Sequence, residues 1–229
     1  MNKRAIAGAA LLGGLAAAYI GVIRPRQMRW GATDEEAART LPYDELTRAV
    51  TVEVTPEEIW PWLVQVGWGR AGWYGYDWAD NGLKRSAWEI MPERQHLQIG
   101  TKFPMSPWSA MYCGDFDEPR WILLRMGNES GTSDIGSFLY YLDPIDEHGT
   151  RLIIRMRDKY RWFNPPVLAM QLAVDVGDIY FQWKHLLGVK SRAERMAKGQ
   201  APPSSNQEEI AGDEVIAMGA PSAREGRRG

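Results

Sequence analysis

Fifteen residues from Gly67 to Asn81, GWGRAGWYGYDWADN, carry five aromatic rings and four glycines. Rings of that size bury large apolar areas while Tyr and Trp keep a polar edge, and glycine lets the backbone approach whatever the rings enclose. An ordinary surface connection needs neither. The stretch reads as the wall or mouth of a cavity, so the rest of the chain has to supply the surface it closes on. Trp73, Tyr74, Tyr76, Asp77 and Trp78 are the candidate ligand-binding residues here. A chain of 229 residues with 45% hydrophobic content and 11 Trp has material for one well-filled domain plus appendages.

Gly67, Gly69 and Gly72 spell G-x-G-x-x-G, with Glu89 and Glu93 further on. A dinucleotide site needs a strand before those glycines and a helix opening at the third, so that the pyrophosphate meets a helix N-terminus. Here the preceding segment is helical. Thr55-Pro56-Glu57-Glu58 supplies an N-cap hydroxyl, a first-turn proline and a capping-box glutamate, and Ile59, Trp62, Leu63 and Val66 recur at helical spacing. The motif is rejected, and no cofactor is expected. Cys113 is the single cysteine and His96, His148 and His185 are scattered, which leaves neither a disulfide framework nor a Cys/His metal cluster. A net charge of -2 with no basic stripe argues against nucleic acid as a partner.

Ala5 to Ile23 is an uncharged run of 19 residues between Lys3-Arg4 and Arg24, Arg26 and Arg29. As a helix at ~1.5 Å per residue it spans about 28 Å, which matches the hydrocarbon core of a bilayer. Ala16-Ala17-Ala18 also offers a signal-peptidase site. The apolar run continues past it to Ile23 and stops on arginines, which favours a retained single-pass anchor. The flanking charges lean the domain towards the cytoplasm. Small residues every fourth position carry no information, because eleven of the nineteen are Ala or Gly.

Further along, Thr47 to Val54 alternates as a half-buried strand, with Val50, Val52 and Val54 on one face. Leu97 and Ile99 alternate towards Phe103, Met111 and Cys113 follow, and Trp121 to Met126 returns after the turn Asp117-Glu118-Pro119-Arg120. Phe138 to Leu142 and Arg151 to Arg157 flank Asp146-Glu147-His148-Gly149. The last strand sets Leu152, Ile154 and Met156 against an arginine face that is expected to be wet. Val167 to Lys198 is a long helix whose Leu168, Leu172, Val176, Ile179, Trp183 and Leu186 form one apolar seam, with Trp183 a further candidate ligand contact. Ala201 to Gly229 has too little apolar surface to order.

Trp60-Pro61-Trp62-Leu63-Val64-Gln65, Gly69 through Trp78, and Pro92-Glu93-Arg94-Gln95 together resemble a branch of the SRPBCC superfamily, the START-like and Bet v 1-like proteins with polyketide cyclase/dehydrase relatives. Arg29 to Glu36 and Leu186 to Glu194 extend the resemblance over most of residues 29–198. It implies an α+β helix-grip fold, in which a curved antiparallel sheet wraps a long C-terminal helix around an apolar cavity. No catalytic residue carries over, and Gly75 stands where the branch has a serine. The implied organisation is an anchor over 1–26, a connector over 27–46, a ligand-binding domain over 47–198 and a disordered tail over 199–229. The expected function is membrane-tethered binding of a hydrophobic small molecule, a lipid or polyketide-like compound. A cyclase or dehydratase in the same cavity is the alternative, and a dry core with a protein-binding surface is a third.

Overall fold

The computed structural model describes residues 14, 17–24, 29–38, 46–127, 129, 136–158 and 165–203. For 20, 38, 46, 158, 165–176 and 179 it describes the backbone alone. In chain order these are helix α1 (Asp34–Ala38), strand β1 (Leu46–Val52), α2 (Pro56–Val64), α3 (Asp77–Asp80), β2 (Lys102–Ser106), β3 (Ser109–Asp117), β4 (Trp121–Met126), β5 (Gly136–Pro144), β6 (Thr150–Asp158) and α4 (Pro165–Ala197). The six strands form one antiparallel sheet in the order β1-β6-β5-β4-β3-β2. The first strand therefore returns beside the last, α2 and α3 fill the excursion between β1 and β2, and α4 lies in the curl of the sheet against β1 and α2. This is the helix-grip arrangement.

Local signals explain most boundaries. Glu58 accepts from the Thr55 N–H at 2.9 Å, closing the capping box that starts α2. At the far end of α4, Gln200 N–H reaches the Arg195 carbonyl at 2.9 Å and Gly199 N–H reaches Met196 at 3.0 Å, with Gly199 at φ 62°, a Schellman stop. Strand β2 begins at Lys102 and not at Leu97. Gly100 turns the chain at φ 84°, and Ile99 faces solvent.

The inner face of the sheet is the apolar one. Ile122 and Leu124 of β4 pair with Tyr140 and Phe138 of β5, which pair with Ile154 and Met156 of β6. Leu186, Val189 and Ala193 of α4 close on that face, all fully buried. The four seam residues Leu168, Leu172, Val176 and Ile179 lie outside the side chains described.

The arginine face of β6 differs from its expected wetness: Arg155 is only 2% exposed and Arg151 is half-buried. Residues 29–38 cover it. The Trp30 carbonyl accepts from Ala49 N–H at 3.2 Å along the free edge of β1. Gly31, at φ 73°, packs on the Ala49 carbonyl where a side chain would have no room. Thr33 and Glu36 cap α1 reciprocally, at 2.7 and 3.1 Å. Glu36 then receives Arg151 Nε at 2.6 Å, and its backbone carbonyl receives Arg155. Burial raises the Glu36 carboxyl pKa, but the Arg151 and Thr33 hydrogen bonds outweigh it and leave the pKa below its usual value. An alternating strand shows that one face is polar, but it cannot show that another segment will pair with that face.

Of the uncharged run Ala5 to Ile23, only residue 14 and residues 17–23 are described, and the tail beyond 203 lies outside the described residues. Among the described residues no helix is long and apolar enough to cross a membrane.

Helix α4 meets the aromatic stretch at Gly188, where a Cβ would stand 2.7 Å from that of Tyr74 and deep inside contact of the Tyr74 carbonyl. Glycine inside a helix ordinarily costs about 1 kcal/mol relative to alanine. Gly188→Ala is nevertheless expected to destabilise, by about 2 kcal/mol or more, because rigid backbone must move. Urea denaturation measures it, and a gain in stability would contradict the packing.

Candidate functional site

The stretch from Gly67 is shaped by its glycines. Gly67 and Gly72 pair with each other through two 3.1 Å hydrogen bonds, closing a tight loop directly after α2. Gly72 sits at φ 81° against Ser86 and Asn81. A helix precedes the loop and no helix opens at Gly72, so the geometry a pyrophosphate needs is lacking here.

Tyr74, at φ 57°, is turned into the core and is 2% exposed. Its hydroxyl donates to the Trp62 carbonyl at 3.0 Å and accepts from Gln65 Nε2 at 3.0 Å. Gln65 is fully buried and ties the loop 89–95 to the same point. Its amide donates to the Glu89 carbonyl at 3.1 Å, and its oxygen accepts from Met91 N–H at 2.9 Å and Gln95 Nε2 at 3.1 Å.

His185 of α4 stands at the centre. Its ring is parallel to Tyr74 at 6.2 Å and edge-on to Trp73 at 5.7 Å. Nδ1 lies 2.5 Å from the Trp73 carbonyl, which can only accept, so Nδ1 carries the proton. Nε2 is then the acceptor for the Tyr140 hydroxyl at 2.7 Å. Burial pushes the His185 pKa down to about 4; the Trp73 bond opposes this and the Arg192 charge adds to it. Burial also raises the Tyr140 hydroxyl far above its usual range. Arg192, one helical stretch on, lies 4.4 Å over Tyr74 and 4.0 Å over Trp88, and donates to the Ala87 and Gly188 carbonyls at 2.7 and 3.2 Å. A neutral imidazole and a phenol thus form one hydrogen-bonded pair between sheet and helix.

The six candidates divide into three places. Trp73 and Tyr74 meet His185, with Trp73 Nε1 donating to the Pro104 carbonyl at 3.0 Å. Tyr76 packs on Phe181 at 5.7 Å and near Trp78 at 6.4 Å, under the Lys184 ammonium, and Trp78 is 69% exposed. Asp77 accepts from Ser86, at 3.0 Å from its N–H and 2.5 Å from its hydroxyl, and so is committed to holding the turn. Trp183 faces Trp30 at 5.9 Å, where residues 29–31 cross β1. Gly75 leaves room for the Asp80 carboxylate, which accepts from Tyr76 N–H at 2.8 Å, so a serine there would displace that carboxylate.

Composition did not point to His185, Tyr140, Gln65 and Arg192. A signal exists in spacing: Phe181, His185, Gly188 and Arg192 share a helix face, and Tyr140 alternates inward between Phe138 and Leu142. Among the described residues no three His, Cys, Asp or Glu gather to hold a metal. Concavities among the described residues include two of about 460 and 350 Å³. They are surface grooves flanking Trp68 and Lys102, and none of the six candidates lines them.

No protein-family model and no curated protein matches the chain. Similar solved structures include the Zhui aromatase/cyclase of Streptomyces sp. R1128, at 19% identity over 68% of this chain and 98% of that one with a TM-score of 0.38. A polyketide-cyclase-like protein of Corynebacterium glutamicum shares 10% identity over 69% and 96%, TM-score 0.39. CalU16 of Micromonospora echinospora shares 17% over 79% and 92%, TM-score 0.37. These likenesses concern fold alone, which the strand order already gives.

Histidine burial carries a pH dependence. The folded pKa of about 4 lies below the ~6.5 of an unfolded histidine, so the unfolded chain binds the proton first as pH falls. The contribution is intact above about pH 6.5 and is lost towards pH 4, on the order of 3 kcal/mol. Asp80 acts oppositely. Burial lifts its carboxyl to about 6 from 3.8, so its contribution is present at acid pH and is lost as pH rises through 6. Comparing wild type with His185→Gln isolates the histidine: the wild-type advantage in urea denaturation should shrink steadily from about pH 7 to about pH 4. A constant difference would refute the neutral imidazole.

Proposed function

We propose that the chain is a membrane-tethered module that binds an apolar small molecule between the curled sheet and α4. The Tyr140–His185 pair carries this reading, because it sets a polar couple among the rings and aliphatic side chains of the inner face, apart from the Arg48–Asp178 ion pair that joins β1 to α4. Beside it lies Phe138, 4.9 Å from the Tyr140 ring and paired across the sheet with Met156, and methionine adapts its shape to a guest more readily than branched side chains do. A ligand with one carbonyl or hydroxyl group takes over a hydrogen bond that the pair now makes internally, while its hydrocarbon leaves water against the sheet. The same chemistry suits a lipid or a polyketide-like compound.

Tethering is supported by the basic-flanked run Ala5 to Ile23 and by the half-exposed Val22 and Ile23 on its helical end. The domain side of that anchor is proposed to be cytoplasmic. A second reading, cyclase or dehydratase chemistry in the same interior, rests on the 2.7 Å phenol–imidazole contact, since Asp77 is occupied by Ser86.

Native mass spectrometry of the full chain released from detergent is expected to show a co-purifying apolar compound that Tyr140→Phe holds about tenfold more weakly. If Tyr140→Phe leaves binding intact and lowers turnover of that compound by more than ~100-fold, the enzyme reading replaces the binding one. Absence of any bound compound, together with failure to take up fatty acids or aromatic polyketides, would sink both. Alkaline carbonate washing should leave the chain in the membrane pellet, and its release would remove the tether alone.

A further inference from the structure

The side of the domain around the β2–β3 turn leaves large apolar side chains in water. Trp108 is 88% exposed, Leu83 81% and Trp78 69%. They are linked in space. Trp108 occupies the turn between β2 and β3 and shares the groove of about 350 Å³ with Trp68. The Trp68 ring covers Gly82, so closely that a Cβ there would reach it at 2.7 Å. Leu83 follows at φ 65°, its N–H held by the Asp77 carbonyl at 2.9 Å, and Trp78 belongs to the same turn. Two loops distant in sequence therefore present indoles and a leucine around one indole wall.

Beside these apolar tips lie cationic side chains. The groove of about 460 Å³ adjoins the first through Trp68, Lys102 and Pro104, and Arg70 and Arg94 line it against one carboxylate, Glu93. Lys84 and Arg85 are exposed beside Leu83. Arg70 spends its N–H groups on the Lys102 and Val64 carbonyls, at 2.6 and 2.9 Å, and among the described residues no carboxylate pairs with it. The acids of the turn point elsewhere, Asp77 to Ser86 and Asp80 to the Tyr76 amide.

We propose that this face docks on an anionic lipid bilayer. Trp108, Leu83 and Trp78 enter the interfacial layer, and Lys84, Arg85 and Lys102 meet lipid phosphates. An indole has an apolar body and one N–H, which suits the boundary between headgroups and acyl chains. Lysine and arginine draw a surface to an anionic leaflet. Lysine set among the apolar residues fits a protein partner poorly, since the centres of such interfaces are depleted in it. The proposal stands apart from the sheet–helix interior and from residues 5–23, so a bilayer would hold the domain at a second point.

The test places the full chain in nanodiscs of phosphatidylcholine, with and without phosphatidylglycerol, and follows amide hydrogen exchange over 78–85 and 104–110. Exchange there is expected to slow by about tenfold in the anionic discs relative to the neutral ones, and the difference should vanish at high salt. Lys84→Glu with Lys102→Glu should abolish the difference while exchange across β5 and β6 stays as in wild type, which excludes unfolding as the cause. If the chain leaves neutral discs altogether, the tether reading fails, while charge-dependent protection on anionic discs still upholds this one. Equal exchange in the two compositions would overturn it. Protection in detergent that grows with protein concentration would overturn it too, assigning the face to a second copy of the chain.

Discussion

A buried imidazole must stay neutral, and much of this domain depends on that requirement at His185. Its two nitrogens are satisfied by different elements, Nδ1 by the backbone of the aromatic stretch and Nε2 by a phenol of the sheet. The helix that carries it is thereby fixed to both walls of the fold at one level. Neither bond could be exchanged for water without opening the core, so the three parts hold together or separate together. The same pair sets an imidazole and a phenol among the rings of the inner face.

The close approach of backbone follows from the same requirement. For the Trp73 carbonyl to reach an imidazole on α4, the loop must lie almost on the helix, and only Gly188 allows it. Read as a helix residue, Gly188 weakens α4; read as a contact, it is where the helix is gripped. Gly72 and Gly75 do the same for Ser86 and for the Asp80 carboxylate. The dense glycine and aromatic content of the stretch is thus the mark of a joint between helix and loop, with Tyr74 as its inner pin.

How far the sequence reaches differs between fold and site. Strands β4, β5 and β6, helix α2 and helix α4 are legible because inward residues alternate or recur at helical spacing, and their bounds agree within a few residues. The strand start near Leu97 is misleading, since alternation continues by chance through a turn that Gly100 enforces. Arg155 shows another gap: its burial depends on a segment more than a hundred residues earlier, and no local period encodes that. Around His185, Trp73 and Tyr74 belong to a stretch that stands out in its own neighbourhood. Tyr140 and His185 come from separate elements and look ordinary until the sheet curls, so chemistry made by tertiary contact stays hidden.

Covering the β1 edge has a consequence for how the chain can be cut. An open strand edge offers unpaired amides and carbonyls to any other chain, and proteins shield such edges by pairing or covering them. Here Trp30 occupies that place by accepting from Ala49, and α1 continues over the sheet through Glu36. Residues 29–38 therefore guard the sheet against self-association as much as they connect it to what precedes. A fragment cut at the first residue of β1 would keep every strand and helix of the grip, and would present a bare edge and two newly uncovered arginines to its neighbours.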